Sequence, residues 1–192
     1  LISVSLFSSS CKKKRATDIK LSDVVPFIVK SREVPERFYD PRLAIFVQQF
    51  VVDAKERGVI IPDYTLDKLR IIRYVDQFDS DLGSGVIAAC SRYGFRDATL
   101  GGMVEAVWMK VEVLEEESKA FVDGSIRRLQ ELVYHELFHC LLNKGHLPDG
   151  YNGIMQSTLY QGSTRADQNW NGLVDELFSP EYINLIPNAI AW

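Results

Sequence analysis

From Val133 to Leu142 the chain runs Val-Tyr-His-Glu-Leu-Phe-His-Cys-Leu-Leu, apolar at helical pitch nearly all round apart from His135, Glu136 and His139. A helix without a polar face has to be buried on most sides. This helix must therefore cross the middle of a domain, and it carries two imidazoles and a carboxylate with it. Polar groups are costly in such a place unless something pairs with them.

The spacing names the partner. In His-Glu-x-x-His the two histidines stand at i and i+4, on one helical face, so both rings can reach a single metal ion. Neutral imidazole suits zinc, which takes four ligands in a tetrahedron. A catalytic site uses three protein ligands and leaves the fourth position for water. Glu136, beside the first ligand, is placed to take a proton from that water. All three histidines of the chain fall between positions 135 and 146.

His146 is the expected third ligand. It follows Gly145, a residue that can adopt a left-handed conformation, end the helix and turn the chain back toward the metal. Glu176, on a late helix near Leu173 to Phe178, and the weaker Asp149 are the alternatives. The start of the long helix is expected at Asp123 or Ser125, either of which can cap it.

The run His-Glu-Leu-Phe-His-Cys-Leu-Leu-Asn-Lys-Gly-His, followed by Gly153-Ile154-Met155 and Asp175-Glu176-Leu177-Phe178, resembles the metzincin zinc peptidases. Their pattern is H-E-x-x-H-x-x-G-x-x-H, with a Met-containing turn beneath the zinc. The resemblance covers about residues 69–178 and extends to a group of bacterial metzincin-like lipoproteins. Two departures stand out. The third His comes one residue later here, and Leu142 occupies the position of the family's Gly. The resemblance implies one zinc ion held by His135, His139 and His146, with Met155 in the Met-turn. It implies hydrolysis of peptide bonds with Glu136 as general base. A tyrosine after the Met-turn assists in several metzincins; Ser157 stands at the expected place, and Tyr160 and Tyr151 are the nearest tyrosines.

The first residues carry a different signal. Leu1 to Phe7 suits the end of a signal-peptide apolar region, and Ser8-Ser9-Ser10-Cys11 resembles a lipoprotein processing site. Cys11 would then bear the lipid, and Lys12 to Arg15 would begin a tether beside anionic headgroups. The expected organisation is a leader remnant and lipobox-like Cys over residues 1–11, a tether and lead-in over 12–39, and a metallopeptidase domain over 40–192. Export to the bacterial cell envelope, facing the periplasm or the exterior, leaves Cys90 and Cys140 in an oxidising compartment. They can form one disulfide, or remain two buried thiols.

The rest of the chain predicts an α+β fold of metzincin-like kind: a small mixed sheet on an N-terminal helix and the buried helix, with an irregular C-terminal part. Asp40-Pro41 starts a helix whose stripe Leu43, Phe46, Val47, Phe50 and Ala54 faces the core, and Gly58 ends it. Strands are expected over Leu69 to Val75, Val86 to Tyr93 and Val107 to Leu114. The last is placed at the sheet edge, where an extended peptide or protein substrate can add. Asp167-x-Asn169-x-Asn171-Gly172 starts like a calcium loop, but Phe178 stands where the bidentate Glu is needed, so a capped turn is expected there.

Composition limits the classes. A net charge of −4 over 192 residues argues against a protein that grips nucleic acid by its phosphates. No apolar run is long enough to span a bilayer. The sequence thus predicts a zinc-dependent endopeptidase held at a membrane through a lipid anchor. The alternative is a surface lipoprotein that binds a partner and keeps zinc structurally.

Overall fold

A computed structural model describes residues 4–12, 27–28, 33–78, 82, 85–96, 103–148, 151–157 and 165–188. The chain folds as a mixed α+β structure. Its strands are β1 (Val4–Lys12), β2 (Phe27–Ile28), β3 (Phe38–Tyr39), β4 (Leu69–Val75), β5 (Val86–Arg96) and β6 (Met103–Leu114). They form one sheet in the order β2-β1-β5-β6-β4-β3. β4 is parallel to both β6 and β3, and the other pairs are antiparallel.

The first helix, α1 (Pro41–Glu56), starts as its sequence dictates. The Asp40 carboxylate accepts from the Arg42 N–H, and Pro41 takes the first turn, where no N–H is needed. Leu43, Phe46, Val47, Phe50 and Ala54 are buried, and Gly58 takes a φ of +79° just past the end. Just ahead of α1, β3 pairs with β4 through Phe38 opposite Ile71 and Tyr39 opposite Ile72. The Tyr39 hydroxyl donates to the Leu69 carbonyl at 2.8 Å.

Three further short helices, α2 (Asp63–Lys68), α3 (Glu115–Val122) and α5 (Arg165–Gln168), accompany α4 (Ile126–Leu142), α6 (Trp170–Leu177) and α7 (Pro180–Leu185). Ser125, rather than Asp123, caps α4 by accepting from the Arg128 N–H. Asp123 instead closes α3 in a left-handed conformation. From Gln130 through Leu141 every residue of α4 is buried, as its missing polar face requires. The helix packs on one face of β5 and β6, against Ala88, Cys90, Val111 and Val113, and on α1 through Phe50 and Tyr134.

Two expectations are corrected. The strand at Val107–Leu114 is no edge: it is β6, paired with β5 on one side and β4 on the other. Its alternate residues Lys110 and Glu112 are buried too, joined by an ion pair at 2.7 Å that Arg73 of β4 extends. The second correction concerns the end of α4. Asn143 takes the left-handed conformation, with a φ of +53°, and Gly145 does not. Asn enters this region more readily than most residues other than Gly, and the Asn143 side-chain oxygen accepts from Arg92 of β5, so the chain reverses directly after Leu142.

Cys11 lies in β1, which runs antiparallel to β5 with Ser9 opposite Cys90. Cleavage before Cys11 would remove Val4–Ser10 from the sheet. No helix among the described residues is long and apolar enough to cross a membrane.

Candidate metal centre

The rigid part of the site is α4, which sets His135 and His139 one turn apart on a buried face. The chain then reverses at Asn143 and brings His146 to the same point. The Nε2 atoms of His135 and His139 are 2.8 Å apart, and each lies 3.2 Å from Nε2 of His146. Among the described residues this is the one group of three or more ligand-type side chains so converged.

Backbone carbonyls fix the tautomers. Nδ1–H of His135 donates to the Ile154 carbonyl, and Nδ1–H of His139 to the Lys144 carbonyl, each at 2.6 Å. Each Nε2 therefore presents a lone pair to the common centre. Burial pushes the pKa of His135 and His139 well below the ordinary histidine range and that of His146 down to about 4. Neutral rings with facing lone pairs repel one another unless a cation sits between them. Zinc–nitrogen bonds of about 2.0–2.1 Å in a tetrahedron put neighbouring nitrogens about 3.3 Å apart. The two separations of 3.2 Å to His146 match that spacing, the 2.8 Å between His135 and His139 is shorter, and three neutral imidazoles are a donor set that could hold such an ion.

Glu136 is fully buried, and its Oε2 accepts from the Cys90 N–H at 2.7 Å. Cys90 and Cys140 are joined in a disulfide, their Cα atoms 5.7 Å apart, so β5 is covalently tied to α4 beside the histidines.

The turn with Met155 supports the site. Met155 is fully buried. Its N–H donates to the Tyr182 hydroxyl at 3.1 Å, and its carbonyl accepts from the Leu147 N–H at 2.8 Å. The next carbonyl back, of Ile154, holds His135. Gly153 is required here by space: a Cβ would lie 2.2 Å from the Tyr182 hydroxyl. Arg165 donates to the Gly153 carbonyl at 2.7 Å and pairs with buried Glu131 of α4 at 2.5 Å. Three elements thus converge on one turn.

Other candidates fall away from the centre. Glu176 is exposed on α6 and is not among the converged ligands. Tyr151 is exposed. Tyr160 and Asp149 lie outside the described residues. The segment with the calcium-like pattern is largely helical, as α5 and α6. Tyr182, Arg165 and Glu131 were not foreseen as part of the site. Ser179-Pro180 carried a usable signal, since Ser179 caps α7 and Pro180 opens it; α7 delivers Tyr182.

No family model matches this chain, and neither the curated proteins nor the solved structures contain a match to it.

Proposed function

We propose that this chain is a zinc-dependent peptidase of metzincin-like kind, in which Glu136 is the general base. The observation that carries the reading is the convergence of three Nε2 atoms, two of them on rings oriented by backbone carbonyls. His135, His139 and His146 would hold the ion. Carbonyl partners on Nδ1 make such imidazoles better ligands and fix their direction. When bound, zinc supplies a Lewis acid that polarises a peptide carbonyl and lowers the pKa of water. Glu136 takes the proton released by the attacking water and passes it to the leaving amine.

The competing reading is a partner-binding lipoprotein with structural zinc. A structural zinc takes four protein ligands, whereas among the described residues three converge. A buried carboxylate between two ligands also has no task in a structural site. The Ser8–Cys11 segment supports attachment to the bacterial envelope through lipid on Cys11, with a peptide or protein as substrate.

The test is metal analysis together with hydrolysis of a diverse peptide pool. The expected result is about one zinc per chain and cleavage that a chelator abolishes and added zinc restores. A zinc-loaded protein that leaves every peptide intact would overturn the proposal.

A further inference from the structure

We propose that Cys90 is a positioning residue for Glu136, and that its disulfide to Cys140 is the clamp through which it acts. The inference rests on the reading of Glu136 as general base. Glu136 and Cys140 stand at i and i+4 of α4, on one helical face. Cys90 of β5 holds both. Its backbone N–H donates to Glu136 Oε2 at 2.7 Å, and its sulfur is bonded to Cys140. One strand residue therefore grips the same helix face at two successive turns, once through the carboxylate and once covalently.

A glutamate side chain has several rotatable bonds, and its carboxylate is only as well placed as the group that holds it. Here one such group is an amide fixed to the carboxylate's own helix by a covalent bridge. Without the bridge, α4 is held on β5 and β6 by packing among residues such as Ala88, Val111 and Leu137 and by the hydrogen bond from Arg92 of β5 to the Asn143 side chain. A misplacement of about 1 Å at a reacting group can cost about 100-fold in rate. The metal ligands are held differently. His135 is bound to Ile154 and His139 to Lys144, and neither contact passes through Cys90. Loss of the clamp should therefore spare zinc binding and impair proton transfer.

The experiment compares three zinc-loaded samples: wild type, wild type reduced with a water-soluble phosphine, and the double variant Cys90→Ser/Cys140→Ser. In the reduction, the S–S bond breaks, phosphorus is oxidised to the phosphine oxide with an oxygen from water, and two thiols form. The serine variant covers a buried disulfide that resists the reagent; the reduced wild type covers a variant that fails to fold. Zinc content and KM should be unchanged in both, while kcat falls about 10- to 100-fold, and re-oxidation of the wild type should restore it. A second readout needs no turnover. Amide hydrogen exchange at residue 90 should speed up at least about tenfold, while Ala88 and Val113 keep their rates. Unchanged kcat with unchanged exchange at residue 90 overturns the inference. So does loss of zinc with faster exchange at all three positions, since that describes a general staple. If the intact wild type cleaves nothing, the peptidase reading fails by itself, and the exchange rates still decide whether the clamp holds Glu136.

Discussion

The Nδ1–H of His135 donates to the Ile154 carbonyl at 2.6 Å, and this bond couples the buried helix to the turn that carries Met155, beside the three converged histidines. Everything that fixes Ile154 therefore acts on the direction of the proposed ligand His135. The Tyr182 hydroxyl accepts the N–H of the next residue, Met155, and Arg165 holds the carbonyl of the preceding one, Gly153.

Tyr182→Phe tests that coupling. The substitution leaves the Met155 N–H buried without its acceptor, which costs about 1–3 kcal/mol. The urea midpoint should fall accordingly, and zinc affinity should drop by up to about tenfold, the lower end of what removal of an outer partner does. The checks are urea unfolding and zinc titration against a competing chelator. Unchanged values in both would mean that the turn does not orient His135.

The third ligand is tested by a pair of variants. His146→Ala should lower zinc affinity by orders of magnitude, because it leaves two imidazoles for an ion that wants three or four protein ligands. Glu176→Ala should leave affinity nearly unchanged, since Glu176 is exposed and apart from the cluster. The same chelator competition reads both; the reverse pattern would move the third ligand to α6.

Much of this site was legible in the sequence because helical periodicity alone puts His135 and His139 on one face, and because apolar neighbours bury them. The α1 helix was legible for a similar reason: Asp40-Pro41 is a local signal, satisfied within the first turn. The end of α4 was not. Gly145 has the greater conformational freedom, but Asn143 comes first and can adopt the left-handed turn, and tertiary contacts decide between them. Gly145 is used instead to approach Pro187, whose carbonyl accepts its N–H at 2.8 Å. The place of β6 inside the sheet was equally hidden. Strand order depends on partners far away in the chain, and the alternation of Lys110 and Glu112 with apolar residues looks the same whether that face meets solvent or a buried ion pair. The hold of Cys90 on Glu136 joins positions 46 residues apart, which no local pattern reveals.

The pH dependence of the zinc-free protein follows from the buried rings. Unfolded histidines titrate near 6.5, whereas burial holds all three of these lower, His146 at about 4. The folded pKa values are depressed, so the unfolded chain binds more protons in between. Their contribution is fully present above about pH 6.5 and is lost as the pH falls toward 4. Asp40, held low chiefly by its hydrogen bond from Arg42, withdraws its share only below the ordinary carboxylate range. The melting temperature should therefore decline between pH 7 and 4.5, and His146→Gln should flatten part of that decline. A flat profile in the wild type would contradict the buried neutral state of the cluster.

The most direct test of the central claim is the rate of peptide hydrolysis by Glu136→Ala against wild type, both brought to equal zinc content. As the proposed general base, Glu136 would move protons without being a ligand, so the variant should keep its zinc and lose at least about 100-fold in turnover, the usual worth of a positioned general base. Turnover equal to wild type at equal zinc would contradict the account.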